Sequence, residues 1–158
     1  MSMEAGGGSE AAARLRDLLE RVVEALDLDA DVEVTEDPEA LCGTVEGEDV
    51  AVLIGRHGQT IDAVEHLAAR IAYRDATERK RVVVDAAGYR ARRAEALQRQ
   101  AERAVSEALR FGRPVALDAM VASERKVVHE YLRDRHDVET YSEGEEPDRH
   151  LVITPVVS

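Results

Sequence analysis

Two stretches of this 158-residue chain bring together residue types that could do chemistry. The first is Gly55-Arg56-His57-Gly58 with Gln59 behind it, set between an apolar run and an amphipathic stretch bearing Ile61, Val64, Leu67, Ala68 and Ile71. The second is Arg125-x-x-x-His129, whose spacing places both side chains on one helix face. Neither pairs a nucleophile with a base, but both suit the capture of an anion. Free N–H groups at a helix start attract negative charge, and glycine has no side chain to keep a phosphate backbone away. Arginine offers phosphate a fork, and histidine hydrogen-bonds or stacks. Two glycines three apart also make an ordinary tight turn, and Arg-x-x-x-His also describes a bland surface; spacing alone does not separate these readings.

Other chemistries find less support. There is no G-x-x-x-x-G-K-[ST] phosphate loop and no G-x-G-x-x-G dinucleotide fingerprint. Of the five histidines only His129 and His136 approach a cluster, and the carboxylates of "SEGEEPD" lack calcium-loop spacing. His66 reads as a half-buried structural histidine and Cys42, the sole cysteine, as a small core hydrophobe that leaves no internal disulfide. The expectation is a protein that is not an enzyme and uses no cofactor or metal.

The elements that must position the two stretches follow from hydrophobic period. Leu15, Leu18, Leu19, Val22 and Leu26 predict a helix over about 10–26, after a small, Gly-rich, disordered tail at 1–9. "DVEVTED" alternates as a half-buried strand, and "ALCGTVEGEDVAVLI" reads as a strand, a turn and a short apolar element ending at Gly55. The helix carrying Ile61–Ile71 comes next, with Asp62 and Glu65 in its first turns, then the β-branched strand "KRVVVDA". Beyond a boundary near 87–89, a long helix from Tyr89 to Arg110 buries Leu97, Ala101, Ala104, Val105 and Ala108 and is stopped by "FGRP". Ser123 caps a further helix to about Asp134, and "DVETY" and "HLVITP" form a hairpin. On the long helix Arg92, Arg99, Arg103 and Arg110 fall on nearly one line, either a phosphate track or a solvated face with Glu95 paired to Arg99.

The net charge of −12 is unevenly spread. Residues 1–54 hold 3 basic and 15 acidic residues, whereas 70–113 hold 12 basic and 6 acidic, a local positive block with acidic flanks. No run approaches the ~18 apolar residues of a membrane helix, and the N-terminus has no signal-peptide pattern. A cytoplasmic location without membrane insertion is the expectation.

"VLIGRHGQTIDAVEHLAARIA" resembles the I-G-x-x-G-x-x-I core of K-homology (KH) domains in their bacterial, type II arrangement. In that family the loop holds the backbone of about four single-stranded nucleotides, with bases in an apolar groove, which suits a chain with 3% aromatics and no tryptophan. "ERKVVHEYL" followed by "ETYSEGEEPDR" resembles the R-three-H domain. Residues 30–155, with "VVVDAAGYRARR" between, are similar to the Jag (SpoIIIJ-associated) family of bacterial RNA-binding proteins. The resemblance implies an α+β chain with a KH domain at 10–87 and a small R-three-H domain at 88–158, opening almost directly at the KH helix without the further Jag domain of many relatives. It implies RNA contacts by Gly55, Arg56, His57, Gly58, Gln59, Arg125 and His129, post-transcriptional control tied to cell-envelope growth and division, a small separate KH protein as partner, and a gene beside a membrane-protein insertase. The chain departs from the pattern at His57, where a second basic residue is common, and in "MVASER", which lacks the usual proline. The rival expectations are a protein-interaction adaptor built on the acidic segments, and a single-stranded DNA binder.

Overall fold

The computed structural model describes residues 8–157, so the expected disordered tail lies mostly outside the described residues. The chain forms two compact units, one ending at Arg90 and the other beginning at Ala91.

The first unit runs α1 (Glu10–Ala25), β1 (Ala30–Glu36), β2 (Ala40–Gly47), α2 (Ala51–Ile54), a single 3₁₀ turn (Arg56–Gly58), α3 (Gln59–Ala72) and β3 (Arg81–Ala86). Ser9 caps α1 by accepting the Ala12 N–H at 3.1 Å. β1 and β2 pair antiparallel through a turn in which Asp37 accepts the N–H groups of Glu39 and Ala40 at 2.7 and 2.8 Å. β3 pairs parallel to β2, with α3 as part of the crossover between them.

Alternation along β2 turns Leu41, Gly43 and Val45 toward the helices and leaves Cys42 and Thr44 half-buried on the other face. Cys42 is therefore not the core residue that composition suggested. Gly43 permits the close seat of α1, because a Cβ there would lie 2.5 Å from Leu19 Cδ1. Leu15, Leu19, Leu41, Val45, Leu53, Ile61, Ala68 and Val84 are fully buried in the core. Three of the apolar residues expected on the buried helix faces lie outside it, Ile71 being only half-buried. Leu67 stands about 120° around α3 from the Ile61/Ala68/Ala72 row and is exposed. Leu26 is exposed as the C-cap beyond the last turn of α1, while Val23 is buried.

The second unit takes α4 (Tyr89–Phe111) from Ala91 onward, then β4 (Val115–Ala116), α5 (Ala122–Leu132), β5 (Val138–Glu143) and β6 (His150–Pro155). Its sheet is antiparallel in the order β4-β6-β5. Leu97, Ala101, Ala104, Val105 and Ala108 of α4 pack with Val128, Leu132, Val138, Leu151 and Ile153. The mixture of helices with mostly antiparallel strands makes the chain α+β. Ser123 lies within the first turn of α5 rather than at its cap. Val121 is the cap residue, its carbonyl accepting the N–H groups of Glu124 and Arg125 at 3.1 Å each.

Candidate nucleic-acid interface

The short apolar element before Gly55 is α2, which closes with the Gly55 N–H donating to Ala51 O at 2.9 Å. Gly55 (φ 73°), His57 (φ 55°) and Gly58 (φ 76°) take left-handed backbone angles, and Gly58 is the cap from which α3 starts. Both glycines are demanded by internal packing as well as by angle. A Cβ on Gly55 would strike Thr60 Oγ1, and one on Gly58 would lie 2.7 Å from the Tyr89 hydroxyl and 2.8 Å from its ring. The glycine pair thus accounts for the sharp entry into α3, and the case for a ligand rests on what the loop displays.

It displays Arg56, His57 and Gln59, all exposed. Neither Arg56 nor His57 forms an ion pair or side-chain hydrogen bond with another described residue. The two acids in the first turns of α3 are compensated: Arg90 binds Asp62 at 2.9 Å and Glu65 at 2.8 Å, and donates from Nε to Val84 O at 2.7 Å. Glu65 also accepts the Val84 N–H at 2.9 Å, fastening α3 to β3. The loop therefore offers two unspent basic side chains at a helix start whose nearby carboxylates are already paired, a surface suited to a polyanion.

The second stretch is built differently. Arg125 is buried at 8% exposure, donating from Nη1 to Met120 O at 2.5 Å and from Nη2 to Glu146 at 2.8 Å. Its neighbour Glu124 is buried too and takes a two-bond fork from Arg93, at 2.6 and 3.2 Å. His129 is exposed, one turn along, with Nδ1 at 2.5 Å from Thr140 Oγ1 on β5. Arg125 and His129 share a helix but not a surface: the arginine is turned inward as a fastener, the histidine outward. Sequence reasoning missed Arg90, Arg93, Glu124 and Glu146, whose partners lie 21 or more residues away and leave no local signal.

Arg92, Arg99, Arg103 and Arg110 are all exposed on α4, and the expected Glu95–Arg99 pair does not form. Arg110 lies over the Phe111 ring, 5.3 Å from its centroid. His66 is exposed, 3.4 Å from Arg70 Nε, not half-buried as expected. Among the described residues no three His, Cys, Asp or Glu side chains gather to hold a metal ion, and no helix is long and apolar enough to cross a membrane.

Comparison with known proteins agrees with this architecture. Residues 13–85 match the family described as KhpA/KhpB, KH domain, and residues 95–155 match the R-three-H domain. The protein named RNA-binding protein KhpB from Bacillus subtilis (strain 168) is 37% identical over 138 residues, 86% of this chain and 66% of that protein. Its namesake from Clostridium symbiosum is 34% identical over 140 residues, covering 87% of this chain and 63% of that one. A third, from Lactiplantibacillus plantarum, is 37% identical over 146 residues, 92% of this chain and 45% of the relative. The chain thus spans between 45% and 66% of the length of these relatives. With a KhpA/KhpB-type KH domain followed by an R-three-H domain, and this likeness along most of its length, the chain belongs to the Jag (KhpB) family of proteins that join these two domains.

Proposed function

We propose that this chain is a single-stranded RNA-binding protein whose Gly55–Gly58 loop grips the sugar–phosphate backbone. The observation that carries the reading is the exposed, unpaired Arg56 and His57 on a left-handed turn at the start of α3, beside acids already bound by Arg90. The printed names of its relatives support RNA as the polymer. In this reading residues 10–87 serve as the KH module and 88–158 as the R-three-H module, which adds a weaker contact through His129 and the exposed arginines of α4. Linking two weak modules raises affinity through effective concentration. Binding, not turnover, is the activity. Its setting is the cytoplasm, in post-transcriptional regulation connected with envelope growth and division, with a small separate KH protein as partner.

The test is fluorescence anisotropy of the full chain with labelled RNA and DNA single strands of one sequence over a salt series. Tighter RNA binding, with log K falling by ~0.7 per phosphate contact against log salt, supports the reading. Equal or tighter DNA binding replaces the substrate. No binding to a varied RNA pool at low salt overturns the reading in favour of the adaptor.

A further inference from the structure

The only phenylalanine of the chain, Phe111, closes α4 and is 56% exposed, apart from the core of the second unit. Two guanidinium groups accompany it: Arg110 Cζ lies 5.3 Å and Arg113 Cζ 5.2 Å from the ring centroid, within the ~6 Å reach of a cation–π contact. The backbone creates this grouping. Gly112 takes φ 63° and the Arg113 N–H returns to Ala108 O at 3.3 Å, so the chain doubles back at the helix end and brings Arg113 over the ring. A Cβ on Gly112 would meet nothing within 4 Å apart from its chain neighbours, so no other element crowds this turn. Arg110 also ends the row of exposed arginines that includes Arg99 and Arg103. One acid stands by, Glu107, 3.9 Å from Arg113.

An exposed ring with two guanidinium groups beside it, at the end of a cationic helix face, matches the chemistry of a nucleotide: a flat π surface joined to an anion. We propose that Arg110, Phe111 and Arg113 form a base-stacking contact for single-stranded RNA, separate from the Gly55–Gly58 loop and from Arg125 and His129. The inference rests on the RNA-binding reading above. On binding, at least one guanidinium group leaves the ring for a flanking phosphate, and the base takes its place against the ring. Stacking needs no particular base edge, so this contact adds affinity without base preference.

The absence of tryptophan supplies the experiment, because F111W is then a single-tryptophan reporter in the full chain. Oligoadenylate is titrated while tryptophan emission and the anisotropy of a labelled strand are followed together. The expected result is emission quenching that saturates with the anisotropy. In addition, F111A should weaken oligoadenylate binding by about tenfold yet leave binding of an abasic ribose–phosphate strand unchanged. Unchanged F111W emission at RNA saturation overturns the proposal, as does F111A binding oligoadenylate like wild type. If wild type binds no RNA at all, the RNA reading falls and this contact with it. If wild type binds but F111W stays silent, only this contact falls. If F111A dissolves a concentration-dependent dimer in sedimentation while RNA affinity holds, the ring is a protein contact and the proposal is overturned. Replacing an exposed ring leaves the core intact, which matched thermal melts of the variants verify.

Discussion

Substituting Arg125 by alanine should cost the second unit stability and leave RNA affinity nearly unchanged once the variant is folded. The magnitude follows from its partners. Losing the charged donor to the Met120 carbonyl costs about 1.5–3 kcal/mol, the range for hydrogen bonds involving a charged group. The Glu146 side chain is 59% exposed, so that ion pair adds no more than ~0.5 kcal/mol after solvent screening. A loss near 2–3 kcal/mol is a large share of the 5–15 kcal/mol typical of a domain, and should lower the melting temperature by roughly 10–20 °C. Urea denaturation followed by circular dichroism reads the stability, and anisotropy at a temperature where the variant is folded reads the affinity. Glu146→Gln serves as the internal comparison, with a much smaller loss. If R125A melts within about 1 kcal/mol of wild type while its RNA affinity falls tenfold, the fastener argument is wrong and Arg125 is a ligand contact.

Three further outcomes follow from the first unit. Arg90→Gln should weaken RNA binding most at low salt, because it leaves Asp62 and Glu65 uncompensated near the loop, and the deficit should shrink as salt screens them; a deficit equal at all salts would exclude the electrostatic cause. Gly58→Ala should destabilise the unit by about 1–3 kcal/mol through its left-handed angle and the clash with Tyr89, measured by urea denaturation. The Asp37 carboxyl is held below its usual range, first by the Glu39 N–H and then by the Ala40 N–H. A depressed carboxylate stabilises the fold above its unfolded pKa, and that contribution disappears as pH falls through the folded value. Asp37→Asn should therefore flatten the acid limb of the stability–pH curve, read by melts at successive pH values.

Much of the fold was legible because its signals are local. The buried face of α4, Leu97 through Ala108, is a 3.6-residue repeat, and the order of elements around Gly55 follows from where periodicity changes. The loop was legible for the same reason: two glycines, two basic residues and a helix start are neighbours in the chain. What escaped is non-local. Arg125 looks like a surface arginine until the β5–β6 hairpin folds back and delivers Glu146, 21 residues on. Arg90 becomes the keeper of Asp62 and Glu65 only through the packing of α3 on β3. Ser123 has the chemistry of a cap, yet the Val121 carbonyl starts the helix two residues earlier, and propensity yields to backbone geometry. Leu67 is apolar but sits off the buried row, where residue type and helical angle disagree.

The most direct test of the central claim compares wild type with an Arg56→Asp/His57→Asp double variant in RNA anisotropy over a salt series. Both side chains are exposed and form no ion pair or side-chain hydrogen bond with another described residue, so the variant should melt like wild type. Loss of affinity together with a shallower salt dependence, by ~0.7 for each phosphate contact removed, is the result this account expects. A folded variant that binds RNA with unchanged affinity and slope would contradict it.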